Sequence, residues 1–376
     1  MKACGLPVVR CKEGEPIIAP TTNWWESGVT FNAAANYLER SPENDPVIQA
    51  LLPMVTLADP KLSEGVVAIH YRARPETDPG SSFVRSFIGL ALFTPDLKPL
   101  YRYKEPIIYP SPYLDGYDHF GVEDPRITRL EDAFYMVYCG VMPDPVNTYR
   151  AVLCMARSID LLHWEKLGPI RGDINHTFNK DGVLFPDRID GKYFLLHRPY
   201  WDGLEISKLA IHLAESDSLT GEWRDCGEIM RSYLNPLFAD SWLGAGSVPL
   251  RMSAKRYVAI YHTGNYTPNR MDREYDLDAA LIDFDQFDPS QPASIVTARL
   301  EHLMTPETPA ELRSHSALQV GNVLFSCGSY EYGGEIYIIY GGADTYTLAA
   351  RISKQVLYTA LDQADLTNPH SKDLSQ

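Results

Sequence analysis

The chain has 376 residues, a hydrophobic content of 45% and a formal net charge of −15 at pH 7. Length and composition are typical of a globular protein with a sizeable core, in one large all-β domain or two ordinary domains. The negative charge argues against a nucleic-acid partner and an anionic membrane surface, because both require a basic face. A neutral or locally recognised small molecule fits better, and a local basic pocket would still bind phosphate.

The N-terminal segment MKACGLPVVRCKEGEP lacks the apolar core of a signal peptide, and no run approaches the ~20 apolar residues of a membrane span. The six cysteines, at positions 4, 11, 139, 154, 226 and 327, show no C-x-x-C spacing. We expect reduced thiols and a cytoplasmic location.

Strand-like segments that end in an aromatic residue or His recur along the chain. They are VVAIHYRAR (66–74), FYMVYCG (134–140), KYFLLHRP (192–199), RYVAIYHTG (256–264) and EIYIIYGGADT (335–345). Each is followed by a second strand-like segment, at 86–97, 151–164, 208–223, 275–287 and 346–357. Helical periodicity is scarce, and its best candidates are PVIQALLPMV (46–55) and the tail near 354–362.

The repeats are spaced about 60 to 80 residues apart, as expected for propeller blades of several strands each. We therefore predict an all-β protein with a single five-bladed β-propeller domain over residues 1–376. The blades span roughly residues 15–375, and the terminal extensions are expected to pack on the propeller or on a partner subunit.

The ends of the repeated strands and the loops after them converge on the axis of a propeller. This convergence places Arg72, the 115–126 loop, the pair His197 and Arg198, the 240–250 loop and Asp344 around one funnel.

The stretch FGVEDPRIT (120–128) sets Glu123 and Asp124 between a glycine and a proline, with Arg126 following. One interpretation is an Asp-Pro turn whose carboxylate caps backbone N–H groups. The other is a carboxylate held at the mouth of a site, where a positioned acid can contribute ~10²–10⁴-fold to a rate.

Motifs in every blade resemble those of glycoside hydrolase family 130, which comprises mannoside phosphorylases and related β-mannosidases on a five-bladed propeller. The motifs are GVEDPRIT, NKDGVLFPDRIDGKYFLLHRP (179–199), GAGSVPL (244–250) and YGGADT (340–345), and the resemblance spans roughly residues 15–355. It implies inverting chemistry on β-mannosides.

The resemblance implies that Asp124 is the general acid, which protonates the glycosidic oxygen through a hydroxyl of the bound mannose. Glu123 and Arg126 flank Asp124 and are expected to shift its pKa in opposite directions. Asp344, Asn32 and Arg72 match positions that bind substrate, and we group Glu123 with them.

A phosphorylase needs a cluster of cations for phosphate, preferably arginines. The chain offers Arg150, Lys180, His197 and Arg198 for this purpose, and Arg150 and His197 match family positions tied to phosphate. An alternative for Arg198 is a salt bridge at a strand end.

One departure from the family pattern weakens the predicted phosphate pocket. Where phosphorylases of the family often carry a lysine, this chain reads DSWLGAG with Trp242. Trp242 either stacks on a sugar ring or fills a blade junction. An inverting hydrolase would instead need a second carboxylate as base, for which Glu205 and Asp240 are the candidates.

We therefore predict an enzyme that carries out inverting phosphorolysis of β-1,2- or β-1,4-mannosides, or the reverse synthesis from mannose 1-phosphate. An inverting β-mannosidase is the alternative, followed by a mannosyltransferase or a non-catalytic carbohydrate-binding propeller. We expect inorganic phosphate as co-substrate, no cofactor and no metal. The resemblance also favours a homo-oligomer, with residues 1–60 available for assembly.

Overall fold

The computed structural model describes residues 4–79, 81, 83–145, 148–200, 209–232, 240–267, 272–314 and 320–365. Within these ranges, no helix has the length and apolar character needed to cross a membrane.

Strands account for most of the regular structure. In chain order they are β1 (Val9–Arg10), β2 (Val29–Leu38), β3 (Val66–Arg74), β4 (Phe87–Phe93), β5 (Pro99–Arg102), β6 (Gly121–Leu130), β7 (Ala133–Asp144), β8 (Thr148–Ser158), β9 (Glu165–Pro169), β10 (Arg171–Gly172), β11 (Phe178–Leu184), β12 (Tyr193–Tyr200), β13 (Ile211–Ser216), β14 (Glu222–Met230), β15 (Asp240–Ala245), β16 (Leu250–Arg251), β17 (Arg256–Tyr266), β18 (Arg273–Asp283), β19 (Val296–Met304), β20 (Leu324–Tyr332), β21 (Glu335–Gly342) and β22 (Tyr346–Ser353). The α-helices are α1 (Asp45–Leu51), α2 (Pro309–Leu312) and α3 (Lys354–Ala364).

The strands form five sheets, which are the five blades of a β-propeller. Blade 1 has the order β2-β3-β4-β5, blade 2 β6-β7-β8-β9, blade 3 β11-β12-β13-β14-β10, blade 4 β15-β17-β18-β19 with β16 beside β17, and blade 5 β20-β21-β22-β1. This confirms the predicted fold class. The five repeated segments are the second strands β3, β7, β12, β17 and β21, and the segments after them contain the third strands. The two predicted helical segments correspond to α1 and α3.

The N-terminal strand closes the ring. Strand β1 pairs antiparallel with β22, so blade 5 combines the last three strands of the chain with its first. Arg10 secures this strand, because its guanidinium donates to Glu311 Oε1 at 2.8 Å, Glu307 Oε2 at 2.8 Å and the Thr305 carbonyl at 2.6 Å.

The aromatic residue or His that marks each repeat lies in the interior rather than at the funnel. Tyr71, Tyr138, His197, Tyr261 and Tyr340 are 0–1% exposed. Each has a polar partner: Tyr71 donates to Glu26, Tyr138 to Asp118 and Tyr340 to Glu311, while Tyr261 accepts from Arg299 and His197 faces Asp225. The tyrosine-rich composition therefore serves the packing of blades, because Tyr offers a large apolar body with a hydroxyl that can be satisfied locally.

Three innermost strands carry the same irregularity near their first residues. The registers of β2, β6 and β11 shift between Phe31 and Ala34, Glu123 and Arg126, and Lys180 and Val183. In each bulge a non-glycine residue adopts positive φ: Asn32 (46°), Asp124 (51°) and Asp181 (57°). A β-bulge changes the direction of a side chain relative to the regular alternation along a strand. Here the three bulges direct three polar side chains toward the axis.

Candidate active site

The polar side chains of these bulges line a cavity of about 290 Å³ at the axis, where the innermost strands begin. The charged residues of its wall are Arg72, Arg74, Lys180, Arg198, Arg273, Asp124, Asp181 and Asp344. Phe31, Asn32, Tyr275 and Phe325 complete most of the remaining wall. Five cations face three carboxylates, so the cavity is locally basic in a protein of strongly negative net charge.

Asp124 lies in strand β6, not in the loop that the sequence predicted. Its Oδ1 accepts from Asn32 Nδ2 at 2.8 Å and from Arg72 Nη1 at 3.2 Å. Burial raises the pKa of Asp124, but the charges of Arg72 and Arg126 outweigh burial and bring this pKa below its ordinary value. These cations therefore favour the ionised form of Asp124 at neutral pH.

Glu123 lies directly behind the wall of the cavity. Its Oε1 accepts from Arg72 Nη2 at 2.5 Å, and its Oε2 lies 3.6 Å from Lys180 Nζ. Burial lowers the pKa of Lys180, but the charge of Glu123 outweighs it and raises this pKa above the ordinary value. Glu123 thus holds Arg72 and Lys180 in place and keeps Lys180 charged.

Asp181 is a third buried carboxylate, held by three basic residues. Arg126 Nη2 donates to Asp181 Oδ1 at 3.3 Å, and Arg198 Nη1 lies 3.1 Å from Oδ2. The ring of His262 lies 3.7 Å from the same Oδ2, and burial lowers the pKa of His262 to about 3, so this ring is neutral. Arg198 therefore makes the predicted salt bridge and still lines the cavity.

Asp344 follows β21 in the left-handed conformation, with φ of 48°. Burial raises the pKa of Asp344 to about 6, although Arg72 opposes this shift. Asp124 and Asp344 therefore differ in protonation near pH 6, and Arg72 acts on both of them.

Among the described residues, His197 and Arg150 are not part of the cavity wall. His197 occupies the buried repeat position, and Arg150 Nη2 donates to the Asn175 carbonyl at 2.7 Å, which ties β8 to the segment before β11. The prediction that both residues line the phosphate pocket does not agree with this placement, because strand position alone does not specify which face of a blade a side chain occupies.

His197, His212 and Asp225 offer potential metal ligands within 4.8 Å of one another. However, the Asn179 amide donates to the Ile174 carbonyl and lies 3.0 Å from His197 Nδ1. Nδ1 is therefore an acceptor, and Nε2 carries the proton that points toward Asp225 at 3.5 Å. In this tautomer neither nitrogen of His197 has a free lone pair for a metal ion.

Trp242 is buried against other strands of its own blade, blade 4. Its side chain is 4% exposed and contacts Tyr266 and Tyr275 at ring distances of 5.1 and 5.3 Å. A Cβ at Gly264 would lie 2.2 Å from the indole, so this glycine makes room for it. The predicted sugar contact does not agree with this burial.

The two candidate bases for hydrolysis differ in placement. Asp240 is buried in β15, where its Oδ1 accepts from the Ser241 amide, and it is not among the described residues that line the cavity. Glu205 lies outside the described residues.

Asn32, Arg72, Asp124, Lys180, Arg198 and Asp344 were all singled out in the sequence, and the structure brings them to one cavity. Sequence reasoning missed Arg74, Asp181, Arg273 and Tyr275. Two signals were available: Arg74 follows Arg72 with the two-residue period of one strand face, and Asp181 follows Lys180 as Asp124 follows Glu123.

A five-bladed propeller with a basic axial cavity and buried carboxylates defines a protein that binds a small polar ligand and has the groups for acid-assisted chemistry. The chain belongs to glycoside hydrolase family 130: the family model described as beta-1,4-mannooligosaccharide phosphorylase matches residues 61–362. The predicted resemblance is confirmed.

The sequence identities between this chain and individual relatives are low. A 1,2-beta-oligomannan phosphorylase of Thermoanaerobacter sp. is 33% identical over 225 residues, which are 60% of this chain and 66% of that protein. The matched region thus spans just under two thirds of the relative's length.

The solved structures share the fold. The β-1,2-mannobiose phosphorylase of Listeria innocua, in complex with β-1,2-mannobiose, has a TM-score of 0.68 at 21% identity, over 94% of this chain and 99% of that one. A second structure represents the members of the family that are glycoside hydrolases targeting β-1,2 mannosidic linkages in Candida mannan. Its TM-score is 0.69 at 21% identity, over 93% of this chain and 94% of that one.

Proposed function

We propose that this protein is a β-mannoside phosphorylase, which transfers a mannosyl group from a β-1,2- or β-1,4-linked manno-oligosaccharide to inorganic phosphate with inversion, giving α-mannose 1-phosphate. The observation that carries the proposal is the excess of cations over carboxylates around Asp124. Phosphate is already a nucleophile, so the reaction requires positioned cations rather than a base.

In this proposal Lys180 and Arg198 hold the phosphate, together with the previously unpredicted Arg74 or Arg273. Asn32 and Arg72 orient Asp124 and the mannosyl group. Asn32 Oδ1 is buried and has no hydrogen-bond partner among the described residues, so it is available to accept from a sugar hydroxyl.

Asp124 supplies the proton to the leaving sugar. Since the charges of Arg72 and Arg126 lower the pKa of Asp124, a bound phosphate dianion would offset them and favour the protonated acid. Phosphate binding and acid catalysis are thereby coupled, because the bound nucleophile raises the pKa of the residue that donates the proton.

The proposal includes phosphate as the co-substrate, with no other cofactor, and a carbohydrate as the partner. It also includes a cytoplasmic location, which is supported by six cysteines that are all unpaired.

The test is incubation of the purified protein with β-1,2- and β-1,4-mannobiose, with and without phosphate. We expect mannose 1-phosphate to form only when phosphate is present. Release of free mannose at the same rate without phosphate would contradict the proposal and identify the alternative β-mannosidase. Sugar binding without any product would identify a binding propeller.

A further inference from the structure

A closed set of polar contacts lies in blade 3, next to the strand positions of Lys180 and Arg198. It is called the blade 3 network below, and its members are Asn179, His197, Asp225 and the short 3₁₀ helix Asp173–Asn175. Asn179 and His197 are fully buried, and neither is among the described residues that line the axial cavity. The network therefore acts on the cavity only through other residues.

The two strands that carry these cations have few backbone contacts at this point. Among the described residues, pairing of β12 with β13 extends only to His197, so Arg198 lies beyond it. The register of β11 against β12 breaks immediately after Lys180. Pro199, which pairs with Asn179, has no N–H to donate to the ladder. Side-chain contacts are therefore important for the spacing of β11 and β12 here.

One such contact joins the two strands behind the cations. Asn179 and His197 share one face of blade 3, because successive side chains of a strand point to opposite faces. Lys180 and its partner Arg198 lie on the other face. Asn179 Nδ2 lies 3.0 Å from His197 Nδ1. Burial lowers the pKa of His197, so the ring is neutral and Nδ1 keeps the lone pair that accepts from Asn179.

Asp225 fixes the orientation of the His197 ring. Its Oδ1 lies 3.5 Å from His197 Nε2, and its Oδ2 lies 3.1 Å from His212 Nδ1. The backbone N–H of Asp225 donates to Asp173 Oδ1 at 2.7 Å. The neighbouring Ile174 carbonyl accepts from the Asn179 side chain, so the chain of contacts returns to β11.

We propose that His197 and Asp225 are positioning residues for phosphate: through Asn179 they set the spacing of β11 and β12 at which one phosphate meets both Lys180 and Arg198. Neither positioning residue touches the ligand. This inference rests on the proposed function, which takes phosphate as the anion held by the two cations.

Two substitutions of His197 separate its two contacts. In His197→Gln the amide nitrogen replaces Nε2 and still faces Asp225, but the acceptor for Asn179 is lost. In His197→Asn the amide oxygen replaces Nδ1 and still accepts from Asn179, but the contact with Asp225 is lost. A comparison of the two variants therefore isolates the contact that joins the strands.

For His197→Gln we expect the KM for phosphate to rise ~10-fold, since a buried hydrogen bond contributes about that factor. The kcat at saturating phosphate and the KM for mannobiose should stay within ~2-fold of wild type, because the loss affects phosphate binding alone. His197→Asn should return the KM for phosphate to within ~3-fold of wild type. An unchanged KM in His197→Gln, or an equal rise in both variants, would overturn the inference.

Asp225→Asn is the milder variant, for the case that substitutions at His197 prevent folding. It keeps the shape of the side chain and removes the charge that the His197 ring faces. The KM for phosphate should rise, by less than in His197→Gln, and an unchanged value would count against the role of Asp225.

Tyr257→Phe is the matched control. Tyr257 is also fully buried and donates to Asp187 Oδ2 at 2.8 Å, near the start of β17 and away from the cavity. This variant should lower Tm and leave the KM for phosphate unchanged. A rise equal to that of His197→Gln would show a general loosening of the fold and would contradict a positioning role.

Crystal structures of the two His197 variants without ligand test the network independently of turnover. In His197→Gln, the 3.6 Å distance from Lys180 Nζ to Glu123 Oε2 should lengthen, whereas His197→Asn should preserve it. An unchanged distance in His197→Gln would overturn the positioning role. A protein that forms no mannose 1-phosphate but shows this displacement would overturn only the phosphorylase.

Discussion

Among single residues, Arg72 interacts with two carboxyl groups whose pKa values are shifted in opposite directions. Arg72 contacts Asp124 at 3.2 Å and also acts on Asp344, yet Asp124 is the stronger acid of the two. The difference arises because Asp124 additionally receives the Asn32 amide and the charge of Arg126. One carboxyl is thus ionised and the other holds a proton near pH 6 in the same cavity.

Replacement of Asp124 by Asn tests its role in proton transfer. We expect kcat for phosphorolysis to fall by ~10²–10⁴-fold, because an amide cannot act as the acid. The fold should be retained, since an Asn oxygen can still accept from Asn32 and Arg72. Steady-state kinetics with a melting curve measure both, and a variant of near wild-type rate would remove Asp124 from the mechanism.

The raised pKa of Asp344 predicts a pH dependence of stability. Between its ordinary pKa of 3.8 and about 6, the folded protein holds a proton that the unfolded chain has released. Folding stability from this group is therefore present at low pH and is lost as pH rises through about 6.

Asp344→Asn should remove this contribution. Its Tm relative to the wild type should rise as pH increases from about 4 to about 7 and then level off. Melting curves across this range measure the difference. A Tm difference independent of pH would show that Asp344 ionises normally in the folded protein.

Among the structural elements, the β-bulges in β2, β6 and β11 bring polar side chains into the axial cavity. Regular strands would alternate the side chains of β2, β6 and β11 between two blade faces. The bulges instead aim Asn32, Asp124 and Asp181 at the axis, at positive φ values that disfavour most side chains. Backbone strain of ~1–3 kcal/mol for each such residue is the cost of this arrangement.

The bulge in β2 predicts an unusual order of stability. Asn32→Gly and Asn32→Ala both remove the hydrogen bond to Asp124, so activity should fall equally in the two variants. Ala at φ of 46° carries steric strain that Gly avoids, so Asn32→Ala should be less stable by ~1 kcal/mol. Urea unfolding measures the difference.

Ala35 provides the control on the same strand, because it pairs with Ile69 in regular register. There Gly should destabilise by about 0.5–1 kcal/mol relative to Ala. Equal stability of the two Asn32 variants would mean that the bulge relaxes when its side chain changes.

In the molecule as a whole, the ring is closed by a short N-terminal strand and by the ion pairs of Arg10 with Glu307 and Glu311. Glu311 is fully buried and accepts from Arg10 and from Tyr340. Arg10, in the N-terminal strand β1, thus compensates the buried charge of Glu311, which belongs to the C-terminal part of the chain.

Arg10→Ala should lower the free energy of unfolding by ~3 kcal/mol, because it leaves the Glu311 carboxylate buried without its cation. Lys98→Ala, which removes an exposed pair with Asp96, is the control and should change stability by less than ~1 kcal/mol. Urea unfolding followed by tryptophan fluorescence measures both.

The same unfolding curves test the prediction that the chain is one domain. A single cooperative transition is expected, whereas two separated transitions would show that the propeller unfolds as two units. Oligomeric state stays a prediction as well, and sedimentation analysis addresses it.

Residue types along the chain determined much of the site but not its geometry. The motifs around Asp124, Lys180 and Asp344 were visible because acid, base and glycine interrupt apolar strands there. The placement of His197 and Trp242 could not be predicted, since the sequence of a strand end is the same whether its side chain turns toward the axis or away from it. Arg273 carried no local signal, because it is the first residue of β18 and resembles any charged residue at a strand end.

The propeller was predictable from the sequence, since an apolar strand followed by a second strand recurs five times at intervals of about 60 to 80 residues. The sequence also determined the chemistry available, through the acids and arginines at the strand ends. Which of these side chains meet depends on the tertiary structure. Positions separated by about 60 residues converge through closure of the ring and through register shifts in the innermost strands, and neither is encoded in any local window.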